Sequence, residues 1–324
     1  MIGFTATIPL EILIAAGRQP VDLRQLFLAA ENPGELIDEA ELAGFPVHCD
    51  PWLKGFYSCI LRHGIREVIV VTNNQPGIGE LASLLSLHDV RVFPFTYPAD
   101  RSAESLALEI KKLARHLGAA PADIDQARQQ LNRIRGKINR IDRLFREQQR
   151  GSSRQVIELL LATCDMQGDP QAFADQVDSR LTELEHQPRR PQQLQLACIG
   201  EIPLCSNLYE TLEEQGAAII YCEQGRQAAM PFESDSLVEQ YRQFTLPYDI
   251  FTRISFCRND LDHTPTDGIL LFSNSAPVQQ IGEMLIRQQL RYPLLTLFNQ
   301  RPGELDAANR MKLEGFLDTL RSGD

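Results

Sequence analysis

The sequence predicts an α/β fold made of two Rossmann-like lobes, whose parallel sheets flank a cleft and which are joined by a long helical middle segment. Near each end of the chain, strand, loop, helix and strand follow one another, which is the order of a βαβ unit. Between these two regions lies a stretch with helical periodicity only. The length of 324 residues also exceeds what one hydrophobic core usually serves.

The first lobe opens on an apolar stretch, residues 1–17, which lacks a basic leading region and is interrupted by Glu11. It is therefore not typical of a signal peptide. Pro9 suits a first helical turn and Gly17 a helix end, so we expect a core helix there. The β-branched run at 65–71 is typical of a strand buried on both faces. The other elements are predicted as helices at 36–44, 51–64, 80–87 and 102–117, with a second strand at 90–95.

The middle helix is predicted over residues 121–150, where apolar side chains recur at offsets of three and four and form one face. Two helices follow it, split near residues 167–170, and a polar, proline-bearing joint at 186–193 marks the next boundary. We therefore expect the first lobe at residues 1–118, the helical connecting segment at 119–192 and the second lobe at 193–324.

The second lobe repeats the order of the first. After the strand at 217–222 we expect a polar loop before the next helix. Its strands are predicted at 194–200, 217–222, 268–272 and 293–298, and its helices at 206–215, 237–244, 278–291 and 306–320.

Composition excludes several classes of function. The net charge of −11 disfavours nucleic acid as the main partner, because an acidic surface repels phosphate backbones. No apolar stretch is long enough to span a bilayer. Seven scattered cysteines argue against a disulfide framework, so we expect a soluble cytoplasmic protein.

Ligands of open α/β sheets bind beyond the carboxyl ends of the strands. Two loops meet this condition, residues 73–79 and 273–277. The turn Pro76–Gly79 opens a helix, and its amides suit an anion as well as they suit a tight βα turn. The polar side chains that we expect to line the cleft are Asn73, Asn74, Gln75, Ser273, Asn274 and Ser275.

Cys49 directly precedes a predicted helix start, for which Asp50 is the N-cap and Pro51 the first residue. Free amides and the helix dipole at such a position stabilise a thiolate, which is a nucleophile, a redox thiol or a metal ligand. Cys205 follows the first strand of the second lobe and is the other cysteine that we place near the cleft.

Several segments resemble, in order and spacing, the B/D-type subunit of the 2-hydroxyacyl-CoA dehydratase and benzoyl-CoA reductase family. They cover nearly the whole chain. The segments are residues 9–17, 20–23, 49–55, 95–101 and 165–170 in the first part, and 202–203, 208–209, 216–217, 240–241, 253–254, 267–268 and 301–316 in the second.

This resemblance implies a [4Fe-4S] cluster held by three cysteines, pairing with a related subunit and an ATP-dependent activator that supplies an electron. It also implies radical dehydration of a 2-hydroxyacyl-CoA or reduction of an aromatic thioester. Cys49 matches the first cluster cysteine. Trp52 and Lys54, in the same segment, are further candidates for contact with an acyl-CoA.

The sequence departs from the family pattern at the other two cluster positions. The second cysteine is expected in the loop after residue 71 and the third in the loop after residue 272, yet neither loop contains cysteine. Pro76 and Pro277 stand near the expected positions. Amides, hydroxyls and proline are poor ligands for a cluster that thiolates normally hold.

Three hypotheses follow. The first is a family member without its own cluster, which acts as a non-redox partner subunit or binds an acyl-CoA or another small ligand. The second is an active iron–sulfur dehydratase that completes its cluster with Cys49, a cysteine such as Cys205 and a paired subunit. The third is a protein in which Cys49 acts alone as a thiol of depressed pKa.

Overall fold

A computed structural model of the chain confirms the mixed α/β architecture, with two four-stranded parallel sheets and many helices. The residues that it describes are 1–73, 75–190, 193–232, 234–273, 277–298 and 300–323, with the side chains of 277–280 also left out. The chain divides into two compact units. Unit 1 comprises Met1–Lys137, Ala162–Asp178 and Ala228–Asp249, and unit 2 comprises Ile138–Leu161, Ser179–Gln227 and Ile250–Asp324.

The first sheet has the strand order β2-β1-β3-β4, and all its neighbours are parallel. The elements of this part are β1 (Ile2–Phe4), α1 (Leu10–Ala15), β2 (Pro20–Asp22), α2 (Leu23–Leu28), α3 (Pro33–Leu42), α4 (Pro51–Arg62), β3 (Glu67–Val71), α5 (Ile78–Ser86), β4 (Arg91–Phe95) and α6 (Ala103–Leu117).

The middle of the chain is helical, as predicted, and breaks where the sequence predicted a split. Its elements are α7 (Pro121–Arg146), α8 (Ser153–Ala162), a 3-10 turn (Met166–Gly168) and α9 (Pro170–His186). The turn is built from left-handed residues, since Met166, Gln167 and Gly168 have φ angles of +51°, +54° and +76°.

The second sheet has the order β6-β5-β7-β8 and is also parallel throughout. The remaining elements are β5 (Leu194–Gly200), α10 (Leu208–Glu214), β6 (Ala217–Cys222), α11 (Glu223–Ala229), α12 (Leu237–Gln243), α13 (Ile250–Leu261), β7 (Gly268–Ser273), α14 (Pro277–Gln289), β8 (Leu294–Phe298) and α15 (Ala307–Ser322).

The sequence prediction needs correction at the start of the chain and after residue 222. The opening stretch holds the predicted core helix as α1, but strand β1 precedes it, because Ile2 and Phe4 pair with β2 and β3 inside the sheet. The stretch after residue 222 was predicted as a polar loop, yet it forms α11. Arg226 in α11 is buried because Asp142 and Asp260 neutralise its charge, which a polar sequence does not reveal.

Each unit has its own hydrophobic core against its sheet. In unit 1, Phe4 and Val71 of the sheet belong to a fully buried cluster that also contains Leu106 of α6. In unit 2, Ile269 of β7 packs in a cluster with Ile254 of α13. In the part of the chain that the structure describes, no helix combines the length and apolar character needed to cross a bilayer.

The two strand orders follow the same rule. In each sheet the first strand along the chain occupies the second place in the strand order, the next strand lies at the near edge, and the remaining two lie on the opposite side of the first. A topological switch point therefore lies between β1 and β3, and another lies between β5 and β7. Ligands of such sheets bind at the carboxyl ends of the strands beside the switch point. These two edges are therefore the places to look for a functional site.

Candidate functional site

Hydrogen bonds close the switch point of the first sheet. Thr5, directly after β1, donates its backbone N–H to the Ile69 carbonyl at 3.2 Å. Its hydroxyl accepts the N–H of Val71 at 3.1 Å. Thr5 is 1% exposed, so this side chain extends the strand ladder inside the fold.

Asn73 lies in the loop after β3 and holds that loop to the end of β4. Its Nδ2 donates to the carbonyl of Tyr97 at 2.8 Å, and the Tyr97 N–H donates back to Oδ1 at 3.3 Å. Both halves of the amide are therefore engaged with one backbone residue. A ligand-contacting role for Asn73 stays a prediction, and a ligand would have to replace these bonds. Asn74 lies outside the described residues.

The rest of this loop is shaped by packing. Gly77 has a φ of +82° and precedes α5, and a Cβ atom at this position would lie 2.8 Å from Leu53 Cδ1. Glycine is thus needed both for the left-handed turn and for close approach to α4. Gln75 is half-buried, and its Nε2 has no hydrogen-bond partner among the described residues. The tight-turn interpretation of Pro76–Gly79 accounts for these features without a bound anion.

Cys49 stands before α4 as predicted, but the expected stabilisation of its thiolate is wrong. Asp50 caps the helix, since its Oδ1 accepts the Trp52 N–H at 2.8 Å. Burial raises the pKa of the Cys49 thiol and the adjacent Asp50 carboxylate raises it further, while Lys54 and the backbone N–H of Asp50 oppose them. The capping carboxylate therefore occupies a free amide that would favour a thiolate and adds a negative charge beside the sulfur.

Trp52 and Lys54, predicted as acyl-CoA contacts, are 3% and 2% exposed. The Lys54 ammonium donates to Glu41 Oε1 and to the Val47 carbonyl, both at 2.7 Å. The Trp52 ring packs edge-on against Phe27, with centroids 5.6 Å apart, and within the described ranges its Nε1 has no hydrogen-bond partner. Both side chains hold α4 within unit 1, and their predicted role in ligand binding stays untested.

The second sheet is closed even more tightly at its switch point. Gly200 ends β5 with a φ of +98°, and a Cβ atom there would lie 2.2 Å from the Phe272 carbonyl oxygen. The next residue, Glu201, donates its N–H to the same carbonyl at 2.9 Å. Only glycine fits between the ends of β5 and β7.

A buried carboxylate stands at this edge. Glu223, which directly follows β6, has no exposed surface. The Arg253 guanidinium binds it through two nitrogens, with Nη2 2.6 Å from Oε2, and the Gly200 N–H donates to Oε2 at 2.9 Å. Glu223 thereby joins α11, α13 and the end of β5.

Ser273 ends β7 and is 2% exposed. Its hydroxyl hydrogen-bonds to Glu283 on α14, whose pKa is raised by burial and lowered by this bond and by Arg253 and Arg287. Ser273 therefore lies at the predicted strand end, and its contact with a ligand stays a prediction. Asn274 and Ser275 lie outside the described residues.

Sequence reasoning missed a polar cluster at the carboxyl end of β2, here called the Asp22 cluster. Arg24 donates through Nη2 to Asp22 at 2.7 Å, to Thr7 at 3.4 Å and to the Cys164 sulfur at 3.4 Å. The Asp22 N–H donates to Asp165 at 2.9 Å. Burial raises the pKa of Asp165 to about 6, and the Asp22 charge adds to the rise. The partners are far apart in sequence, so no local pattern reveals them.

The described donors do not fit a cluster held by three thiolates. Cys49 is half-buried, while burial and the Asp306 charge raise the pKa of Cys205 to about 11. Within the described ranges, no three His, Cys, Asp or Glu side chains are grouped closely enough to hold a metal ion. In the loop where the second thiolate is expected, Pro76 stands near the expected position and Asn73 is engaged with Tyr97.

One comparison with known proteins identifies the chain's relatives. The family model described as 2-hydroxyglutaryl-CoA dehydratase, D-component, matches residues 5–320. The match includes every strand of both sheets except β1, which ends at Phe4. A comparison with curated proteins gives no significant match.

Proposed function

Because the chain belongs to the 2-hydroxyglutaryl-CoA dehydratase D-component family, we propose that it is a cytoplasmic subunit without an iron–sulfur cluster of its own. It acts as the non-redox partner of a related dehydratase subunit, or binds an acyl-CoA or another small ligand. The observation that carries this proposal is the double engagement of Asn73 with Tyr97 in the loop where a second thiolate is expected. All seven cysteines are free thiols, which supports a reducing compartment.

The chemistry of the remaining donors supports a non-redox role. A cluster needs thiolates, and the first loop contributes only amide groups and proline. The second loop contributes a serine hydroxyl, already bonded to Glu283, in its described part. No radical step is therefore assigned to this chain. In an assembly, such a subunit supports its partner and is not itself reduced by an ATP-dependent activator.

The decisive experiment is iron and acid-labile sulfide content after strictly anaerobic purification and cluster reconstitution of the whole chain. We expect no stoichiometric cluster in the natural protein or in Cys49→Ala. A matched control is Cys59→Ala, which removes a buried thiol from α4, the helix that Cys49 precedes. Stoichiometric iron and sulfide that Cys49→Ala abolishes and Cys59→Ala retains would overturn the proposal.

That outcome would favour the alternative function, an active dehydratase that uses Cys49, Cys205 and a partner's ligand. The raised pKa values of both thiols weigh against it, since a cluster ligand must be a thiolate. The alternative predicts dehydration of a 2-hydroxyacyl-CoA in the presence of activator and reductant. We expect no such turnover from this chain alone.

Ligand binding is tested separately from the cluster by calorimetric titration with a 2-hydroxyacyl-CoA and with free coenzyme A. We expect the chain to bind the 2-hydroxyacyl-CoA. We expect Asn73→Ala and Ser273→Ala each to weaken this binding, because the proposed site places both side chains against the thioester. Unchanged folding of each variant is checked by circular dichroism. If neither compound binds, the ligand-binding role is excluded and the partner-subunit role is the one that stands.

A further inference from the structure

Two cysteines of unit 2 lie side by side on neighbouring strands. Cys198 of β5 and Cys222 of β6 are register partners in the parallel sheet. Adjacent strands are about 4.8 Å apart, which is inside the range of roughly 4.4–6.8 Å that a disulfide spans between Cα atoms. Both residues are 3% exposed free thiols, and their sulfurs are hydrogen-bonded to each other.

The two thiols differ in their surroundings. The hydrogen bond from Cys198 lowers the pKa of Cys222 while burial opposes it, and the backbone N–H groups of Gln224 and Gly225 also donate to this sulfur. The same pairing and burial raise the pKa of Cys198. These surroundings favour a thiolate at Cys222 over one at Cys198.

We propose that Cys198 and Cys222 form an oxidation site at which a small peroxide, such as hydrogen peroxide, converts the thiol pair to an intramolecular disulfide. The Cys222 thiolate attacks one peroxide oxygen, the O–O bond breaks, and hydroxide leaves as Cys222 becomes a sulfenic acid. The Cys198 sulfur then attacks the Cys222 sulfur, and the S–O bond breaks to release water. The two sulfurs together lose two electrons. Hydrogen peroxide is reduced to one hydroxide and one water, and the hydroxide becomes a second water when it takes up the proton that Cys222 released on ionising.

The other buried cysteines provide the contrast. Burial raises the pKa of both Cys59 and Cys164 to about 12, and neither has a hydrogen-bonded thiol partner among the described residues. Burial raises the pKa of Cys257 as well, and the Glu223 charge adds to the rise. A reactive site needs a thiolate and a resolving thiol, and only the Cys198–Cys222 pair combines them in the described structure.

The location links this site to the edge of the second sheet. Cys222 directly precedes Glu223, which binds Arg253 and the Gly200 N–H. Oxidation at Cys222 therefore takes place one residue from that carboxylate. The proposal does not rest on the absence of a cluster or on ligand binding.

The test is peptide mapping of the whole, anaerobically reduced chain after graded additions of hydrogen peroxide, acid quenching and alkylation. We expect the first disulfide-linked peptides to join Cys198 to Cys222, with a loss of two free thiols per chain. Cys59 and Cys164 serve as internal references and remain alkylated. Peptides in which Cys198 and Cys222 stay reduced while Cys49 or Cys205 oxidise would overturn the proposal.

Two variants assign the separate roles. In Cys198→Ala we expect a sulfenic acid at Cys222 that a dimedone probe traps, because the resolving thiol is missing. In Cys222→Ala we expect no oxidation at Cys198. Trapping at Cys198 and not at Cys222 would contradict the assigned roles. The wild-type peptide map decides the proposal even if neither variant folds.

Discussion

At the scale of single residues, Asn73 shows that a polar side chain at a strand end can serve the fold. Its amide donates to the carbonyl of Tyr97 and accepts the N–H of the same residue. A strand-end position was enough to predict Asn73 as a candidate site residue. The bonds that engage it arise from β4, which no local pattern around residue 73 specifies.

Asn73→Ala is therefore expected to destabilise the protein by about 1–3 kcal/mol, because two backbone groups lose their partner. The matched control is Gln75→Ala in the same loop, because the Gln75 Nε2 atom bonds to no group in the described part of the chain. Urea unfolding of both variants measures the difference. Equal stability of the two variants would show that the Asn73 bonds contribute nothing.

Cys49 illustrates a different limit of sequence reasoning. A cysteine before a helix start predicts a stabilised thiolate through the helix amides and dipole. The same sequence places Asp50 at the N-cap, and its carboxylate takes the Trp52 N–H and raises the thiol's pKa. The capping residue was predicted correctly, but its electrostatic effect on its neighbour was not considered.

Asp165 is expected to make stability depend on pH. Burial and the Asp22 charge raise its pKa to about 6, with Arg24 acting in the opposite direction. The pKa of Asp165 in the folded protein exceeds the ordinary value of about 3.9. The contribution of the protonated Asp165 side chain to the free energy of unfolding is therefore complete below a pH of about 3.9. It is lost as pH rises through about 6. Carbon-13 NMR titration of the side-chain carboxyls is expected to show this midpoint.

Asp100 is the internal reference for that titration, since hydrogen bonds from Ser102 and Ser105 lower its pKa. We therefore expect the titration midpoint of Asp165 to lie above the ordinary aspartate pKa and that of Asp100 to lie below it. A midpoint for Asp165 at or below that of Asp100 would contradict the burial argument.

At the scale of elements, long and strongly patterned segments were predictable. Strands β5 and β6 have the predicted bounds, because their apolar runs end at turn residues. Strands β1 and β2 were missed because each has three residues, too few for a pattern to emerge. Helix α13 was missed because its charged residue Arg253 is held by Glu223, a contact between distant parts of the sequence.

The end of β5 yields a prediction about glycine. Gly200→Ala is expected to destabilise the protein by several kcal/mol or prevent folding, because its Cβ meets the Phe272 carbonyl at a left-handed backbone. Gly136→Ala in α7 is the matched control, since nothing lies within 4 Å of its Cβ position. It is expected to stabilise by about 0.5–1 kcal/mol. Thermal unfolding that ranks the two variants in the reverse order would contradict this account.

At the scale of the whole molecule, each unit contains its own buried ionic network. In unit 1, the Glu11 carboxylate accepts Arg135, the Tyr241 hydroxyl at 2.9 Å and the Gln240 amide at 3.1 Å. In unit 2, Asp142 accepts Arg146 at 2.9 Å and Arg226 at 2.6 Å. The sequence marks these residues only as charges within helical patterns, so their pairing was not predictable.

These two networks allow the cooperativity of the chain to be tested. Glu11→Ala leaves Arg135 buried without its carboxylate, and Asp142→Ala removes a shared partner of two buried arginines. Each change is expected to cost about 3–5 kcal/mol. The partners named above for each carboxylate lie in one unit. Glu11→Ala is therefore expected to lower hydrogen-exchange protection mainly in β1 and β3, and Asp142→Ala mainly in β5 and β7. Glu39→Ala, which breaks an exposed pair with Arg62, is the control and is expected to change stability by less than about 0.5 kcal/mol. Equal loss of protection in both sheets for either buried variant would mean that the two units unfold as one cooperative body.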